Sequence, residues 1–187
     1  MFSYTSGTTG NPKAVMLTHR MILAVIAASR GSGVVITMKD TFISYLPLAH
    51  SMEQCFIAYT ELIGGKYGFY SGDPLKLVDD CIELKPTVFA SVPRLFNKMY
   101  DKIMAGVKDK SEKQQKTFND AVEKKKRALR TFGIYKDGLW DKLIFSKIQA
   151  RLGGRVRIMV TASAPISVDV LEFLKVGFCC PILEGYG

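Results

Sequence analysis

The sequence predicts an α/β fold, a mainly parallel sheet flanked by helices. Two observations carry that prediction: short apolar, β-branched runs alternate with helix-period segments nearly throughout, and polar or glycine-bearing turns follow several of the strands. With 187 residues, 48% of them hydrophobic, the chain is long enough to close one core-forming domain.

In chain order, Phe2 to Thr5 and Ala14 to Leu17 read as strands on either side of a polar loop, and Thr18 is placed to cap a helix from His19 to about Arg30. Thr41 to Leu46 is a strand, followed by Pro47 and a helix from about Ser51 to Ile63. Lys66 to Tyr70 is another strand. Asp73-Pro74 has the form of a helix start, an acidic residue before a proline at the first helical position. Thr87 to Ser91 reads as a buried strand. Pro93 then opens a helix whose Leu95, Phe96, Met99, Tyr100 and Ile103 share one apolar face.

The polar stretch Lys108 to Lys126 reads as a solvated helix or helical hairpin projecting from the body, within a basic, mostly helical insertion of about residues 106–138. A helix from about Leu139 to Leu152 stops at Gly153-Gly154. Strand Val156 to Thr161, a turn at Ala164-Pro165, helix Ser167 to Val176 and strand Pro181 to Leu183 complete the pattern. Open α/β sheets bind ligands outside the carboxyl ends of their strands. Ser6 to Pro12, Pro47 to His50, Ser163 to Pro165 and Glu184 to Gly187 are therefore the expected floor of a site.

The formal charge of +9 is unevenly distributed: Arg94 to Arg157 holds 18 Lys and Arg against 7 Asp and Glu, the remainder 8 against 10. Two readings of this segment stand side by side, a solvated helical surface and peripheral contact with an anionic membrane or with coenzyme A phosphates. No aromatic interleaving or nucleic-acid motif accompanies the charge, so no nucleic-acid partner is expected. Cys55, Cys81, Cys179 and Cys180 show no C-x-x-C spacing and come with only His19 and His50, which suggests neither a zinc site nor a disulfide framework and fits a reducing, intracellular compartment. The opening residues carry no secretory signal pattern, and the longest apolar stretch, Met21 to Ala28, is too short to span a bilayer.

The loop Tyr4 to Lys13, "YTSGTTGNPK", contains the most specific chemistry. Glycines let the backbone approach a ligand and present its N–H groups. Ser and Thr hydroxyls add donors, and a lysine adds positive charge, a set suited to a polyphosphate. It is not a Walker A loop, because Pro12 precedes the lysine and Ala14 follows it. A plain hairpin turn would account for Gly10-Asn11-Pro12 but not for Ser6, Thr8, Thr9 and Lys13 together.

This loop resembles the phosphate-binding loop of the adenylate-forming (AMP-binding) superfamily, which includes acyl-CoA synthetases, luciferases and peptide-synthetase adenylation domains. "YLPLAHSMEQ" (Tyr45 to Gln54), "PTVFASVPRLFNKMYDKI" (Pro86 to Ile103) and "LGGRVRIMVTASAPIS" (Leu152 to Ser167) are similar to long-chain acyl-CoA synthetases, the long-chain fatty acid–CoA ligases. The charged stretch before "DKLIFSKI" (Asp141 to Ile148) resembles an insertion in those enzymes, and the likeness covers nearly the entire chain in order.

The resemblance implies that residues 1–187 are part of the large N-terminal domain of the adenylate-forming fold. It also implies a ligase that activates a long-chain fatty acid with ATP and passes the acyl group to coenzyme A. On the matching positions, Ser6, Gly7, Thr8, Thr9, Gly10 and Lys13 would hold the β- and γ-phosphates. His50 would lie near the acyl carboxylate and α-phosphate. Ser163, Ala164 and Pro165 would line the adenine pocket, and Tyr186 would stack on the purine. Thr8, Lys13 and His50 are the expected catalytic residues.

Bland readings stand beside three of these: a hydrogen-bonded structural His50, a mere turn at Ala164-Pro165, and a core Tyr186. The family's Mg²⁺-binding glutamate and its C-terminal domain with the adenylation lysine have no counterpart in this sequence, so no metal ligand is named. The expectation is an internal fragment, inactive in isolation, of an enzyme at the cytosolic face of a membrane such as the endoplasmic reticulum. Two rivals are another adenylate-forming enzyme with a different acid or acceptor, and a truncated non-catalytic nucleotide- or membrane-binding protein.

Overall fold

The computed structural model describes residues 1–5, 12–31 and 35–185. Its contacts divide into two units, Met1–Gly72 and Asp73–Gly187.

The first unit begins with an antiparallel ribbon of β1 (Phe2–Thr5) and β2 (Lys13–Met16), in which Phe2 pairs with Met16 and Thr5 with Lys13. Pairing starts one residue earlier than the apolar run suggests. The ribbon is a separate sheet, so these strands are not part of the parallel array. Helix α1 (His19–Gly31) follows, and the Thr18 hydroxyl accepts from the Met21 amide at 3.3 Å, as an N-cap should. Strand β3 (Thr41–Ser44), helix α2 (Ser51–Leu62) and strand β4 (Lys66–Phe69) form a parallel crossover, with Thr41 opposite Lys66 and Ser44 opposite Phe69. The Phe42 and Phe56 rings pack α2 against β3 at 5.6 Å between centroids.

In the second unit, Asp73-Pro74 does not open a helix. The Asp73 carboxylate accepts from the Leu75 amide and its carbonyl from the Lys76 amide, making a turn that delays α3 to Leu77–Leu84. Strand β5 (Val88–Ser91) is buried at every position, as its unbroken apolar run requires. It pairs in parallel with β6 (Ile158–Ala162), which pairs in parallel with β7 (Ile182–Gly185). Helix α8 (Val168–Phe178) makes the crossover between β6 and β7. Within each unit, the pairings of β3 to β7 are all parallel.

Between β5 and β6 run α4 (Pro93–Lys108), with Pro93 in its first turn, and α5 (Glu112–Phe132). They are followed by α6 (Gly138–Trp140), a π-helical segment (Asp141–Phe145) and α7 (Ser146–Ala150). The long helix expected from Leu139 is thus present, but one turn of it is wound as a π-helix.

The expectation of a solvated, projecting helix over Lys108 to Lys126 is corrected. Helix α5 buries Phe118, Ala121, Val122 and Lys125 and packs mainly on α8. Phe118 lies between Phe145 and Phe173 at 6.2 and 6.3 Å, and Tyr100 meets Phe173 edge-on at 5.0 Å, so one aromatic cluster joins α4, α5, the π segment and α8. Charge density hid this face, because its apolar positions are few and spaced at the helical period.

Lys125 is 2% exposed and is not part of any solvated face. Its ammonium donates to Asp141, to the Val176 carbonyl at 2.7 Å and to the Cys179 sulfur at 3.0 Å, and lies 4.4 Å from the centre of the Phe145 ring. All four cysteines are free thiols. Burial pushes Cys81 and Cys180 up to about 12 and Cys179 up to about 11, leaving them protonated and unreactive at neutral pH.

Ser167 caps α8, its hydroxyl accepting from the Val170 amide at 3.3 Å. Ser167→Ala is expected to lower stability by about 1 kcal/mol, measured by urea unfolding, and Ser167→Asp to restore it. A loss below a few tenths would show that the cap is not used.

Candidate functional site

The β1–β2 ribbon fixes the two ends of the polar segment. Register fixes Thr5 opposite Lys13, and the Leu17 amide donates to the Met1 carbonyl at 2.8 Å, closing the far end of the ribbon. The connection between the strands thus leaves and returns at a defined point, with Lys13 exposed as the first residue on the return. Ser6, Gly7, Thr8, Thr9 and Gly10 lie outside the described residues.

His50 stands at the carboxyl end of β3, past a turn in which its amide donates to the Pro47 carbonyl at 2.8 Å. Gln54, one turn into α2, pins that turn by donating from its side chain to the Leu48 carbonyl at 2.6 Å. His50 is the residue before α2, in extended conformation, and its side chain caps nothing. The imidazole is exposed and has no hydrogen-bond partner among the described residues. It is available to a ligand from a turn held by other groups.

Glu53 escaped the reading from sequence. It is buried in the first turn of α2 and accepts a hydrogen bond from the Ser44 hydroxyl at the end of β3. Burial pushes its carboxyl above the ordinary range, against the opposing effects of the Ser44 hydroxyl and the Leu46 backbone. The available signal was the spacing His50-x-x-Glu53, a capping-box position whose glutamate has turned to the strand instead. The pair ties the strand end to the helix that follows the His50 turn.

In the second unit, the carboxyl ends of three strands align. Ser91, Thr161 and Glu184 stand side by side in register across β5, β6 and β7, and Ala162 pairs with Gly185. Ser163 follows with φ of +78°, in the left-handed region that residues with a Cβ seldom occupy. That reversal turns Ser163, Ala164 and Pro165 outward, and all three are exposed. Ile166 returns to the core and Ser167 starts α8.

Thr161 is 1% exposed, yet its hydroxyl finds no hydrogen-bond partner among the described residues at the strand end beneath this turn. Backbone approach is also open on β7, where a Cβ on Gly185 would meet only ordinary contacts with Ala162 and Thr161. Tyr186 lies outside the described residues. Ser163, Ala164, Pro165 and Gly185 are thus gathered on one polar strand-end ledge, while Lys13 and His50 sit on the ribbon and the β3 turn of the first unit. Among the described residues, no group of three or more His, Cys, Asp or Glu could hold a metal ion.

With this geometry, the chain compares closely with one group of proteins. The family described as AMP-binding enzyme matches residues 1–187. Long chain acyl-CoA synthetase 6, peroxisomal, of Arabidopsis thaliana is 48% identical over 184 residues, covering 98% of this chain and 26% of that protein. Long-chain-fatty-acid–CoA ligase 5 of Rattus norvegicus is 46% identical over 187 residues, with 98% and 27% covered. The chain therefore spans about a quarter of the length of these relatives.

Among solved structures, the A-PCP didomain of carboxylic acid reductase from Segniliparus rugosus, in complex with AMP, superposes with a TM-score of 0.67 at 23% identity, over 100% of this chain and 23% of that one. The N-terminal domain of FACL13 from Mycobacterium tuberculosis does so with a TM-score of 0.60 at 18% identity, over 100% and 36%. These two likenesses concern the fold alone: an α/β array with parallel strands flanked by helices. By the match over its whole length, the chain belongs to the AMP-binding enzyme family.

Proposed function

We propose that the protein carrying this segment is a long-chain fatty acid–CoA ligase. The fatty-acid carboxylate attacks the α-phosphorus of ATP, pyrophosphate leaves, and the thiol of coenzyme A then displaces AMP from the acyl-adenylate. The observation that carries this reading is identity of 43 to 48% to long-chain acyl-CoA synthetases and long-chain-fatty-acid–CoA ligases over 98% of the chain. The loop, the His50 turn and the strand-end ledge all lie within the matched stretch.

In this scheme, Ser6, Gly7, Thr8, Thr9 and Gly10 surround the β- and γ-phosphates with N–H and O–H donors. Lys13, entering β2 beside the loop, offsets the negative charge that grows on the departing pyrophosphate. His50 donates toward the acyl carboxylate and α-phosphate from its pinned turn. Ser163, Ala164 and Pro165 bound the adenine, and Tyr186 stacks on it. Mg²⁺ accompanies the ATP phosphates as charge compensation, with no ligand to it assigned in this chain. The basic segment holds the enzyme against the cytosolic face of an anionic membrane, the endoplasmic reticulum being the first candidate, where fatty acids partition.

In the full-length protein, Lys13→Ala and Thr8→Ala are each expected to lower palmitate-dependent ATP–pyrophosphate exchange by roughly 10²-fold. Unchanged exchange would remove these residues from the site. Exchange without acyl transfer to coenzyme A would identify the enzyme as an adenylate-forming one with another acceptor.

A further inference from the structure

A recess lies in the Asp73–Gly187 unit, between α4, α5 and the π segment with α7, within the basic segment but apart from the loop, the His50 turn and the strand-end ledge. Its volume is about 450 Å³, within the range of small-molecule sites. The floor is apolar, formed by the buried Ile103, Val107, Phe118 and Ile148. The rim carries Lys110, Lys113, Lys147 and Arg151, all exposed, and no carboxylate among the described residues that line it. None of the four cations is paired with a described carboxylate, whereas Lys124, Lys125 and Arg130 on the neighbouring stretch of α5 all have acidic partners.

Two local features build this arrangement. Gln115 donates from its side chain to the carbonyls of Lys108 at 3.0 Å and Lys110 at 2.8 Å, fixing the α4–α5 turn that brings Lys110 to the rim. The π turn widens the helix between Trp140 and Ser146 and leaves Leu143 at the mouth of the recess, 62% exposed. An extra residue in one helical turn is a local cost that recurs where a helix is shaped for a ligand.

A greasy floor under four uncompensated cations fits neither a neutral apolar molecule nor a small anion alone. A neutral ligand would leave the rim charges repelling one another, and a bare phosphate would leave the floor unused. We propose that this recess binds a single-chain amphiphile with a phosphate-bearing head, its acyl chain against Ile103, Val107, Phe118 and Ile148 and its head on the four rim cations. Two sources share that chemistry, a long-chain acyl-CoA and a lysophospholipid of the phosphatidate type. The first would make the site a sensor of product and rests on the ligase reading; the second does not.

The test is calorimetric titration of the purified protein with monomeric lauroyl-CoA, lauroyl lysophosphatidate, free coenzyme A and lauroylcholine. Lauroyl-CoA and the lysophosphatidate are expected to bind, free coenzyme A about tenfold or more weakly, and lauroylcholine not at all. Lys113→Glu with Lys147→Glu should weaken binding about tenfold or more, and Leu143→Glu at the mouth should also weaken it. Lys98→Glu with Lys102→Glu, the same charge change on exposed α4 positions outside the recess, should not. All these positions are exposed, and thermal unfolding checks that the variants remain folded.

Equal loss from both double variants would reduce the effect to diffuse surface charge and overturn the proposal. So would free coenzyme A binding as tightly as lauroyl-CoA, or binding only to phosphatidate-containing vesicles and to no monomeric amphiphile, which would leave the segment with its membrane contact alone. Binding of lysophosphatidate alone would settle the source as lipid. In Lys13→Ala protein, recess binding is expected to persist while ATP–pyrophosphate exchange falls, so the two readings fail separately.

Discussion

Replacing Lys125 by alanine is expected to destabilise the protein by about 3–5 kcal/mol, the usual cost of breaking a buried ion pair from one side. Three groups lose the ammonium as a donor at once: the Asp141 carboxylate, the Val176 carbonyl near the end of α8, and the Cys179 sulfur. The Val176 carbonyl, a terminal helix acceptor with no partner inside its own helix, would keep only the weak Cys179 thiol donor at 3.4 Å, so part of its desolvation cost returns. Removing the side chain also empties the space beside the Phe145 ring, which is completely buried.

Lys125→Met keeps the stem and the packing and removes only the charge, and should cost less than alanine. Combining it with Asp141→Asn should recover part of the loss, because the carboxylate is then no longer uncompensated. Urea unfolding followed by Trp140 fluorescence reads all four proteins. A loss within 1 kcal/mol for Lys125→Ala would mean that the pair is a hydrated surface contact.

The second large effect is expected at Gly153. It has φ of +79°, and a Cβ there would lie 2.5 Å from the Cys81 carbonyl oxygen and 2.7 Å from the Lys85 Cα. Neither atom belongs to a flexible side-chain end. Lys85 is the left-handed C-cap of α3, with its amide on the Cys81 carbonyl at 2.9 Å, so yielding to the methyl group would also disturb that helix end.

Left-handed conformation costs a non-glycine residue about 1–2 kcal/mol. The steric conflict adds about 1–3 kcal/mol. Gly154 provides the control: its φ is +74°, but nothing stands within 4 Å of the added atom. Gly154→Ala should therefore show the conformational cost alone, and Gly153→Ala a clearly larger one. Equal midpoints in denaturant would refute close packing of this turn on α3.

These two positions also show what could be read before the structure. Gly153-Gly154 was legible as the stop of a helix, because glycines after a helical period are a local signal. That only the first of them is sterically committed depends on α3, about 70 positions earlier in the chain, and no local pattern records it. Lys125 was misread for the same reason. In its own helix it is one lysine among several, and its burial is set by α8 and the π segment.

The alternation of strands and helices was legible almost throughout, since each element carries its own periodicity. The antiparallel β1–β2 ribbon was legible as two strands but not as a separate sheet, because pairing partners are not a property of single strands. At the candidate site, the His50 turn and Ser163 to Pro165 were marked by proline and by small residues following strands. Glu53 was not, because its partner Ser44 belongs to a different element.

The Lys125 anchor also bears on the order in which this unit assembles. The α4–α5 hairpin is local and can form early, but the acceptors that let the ammonium shed its water include a carbonyl 51 residues further along the chain. Without α8 that amine keeps only Asp141 among its polar partners, so burying the apolar face of the hairpin carries a desolvation cost that falls when the last crossover docks. A charge in the core thus couples closure of the helical layer energetically to the last crossover.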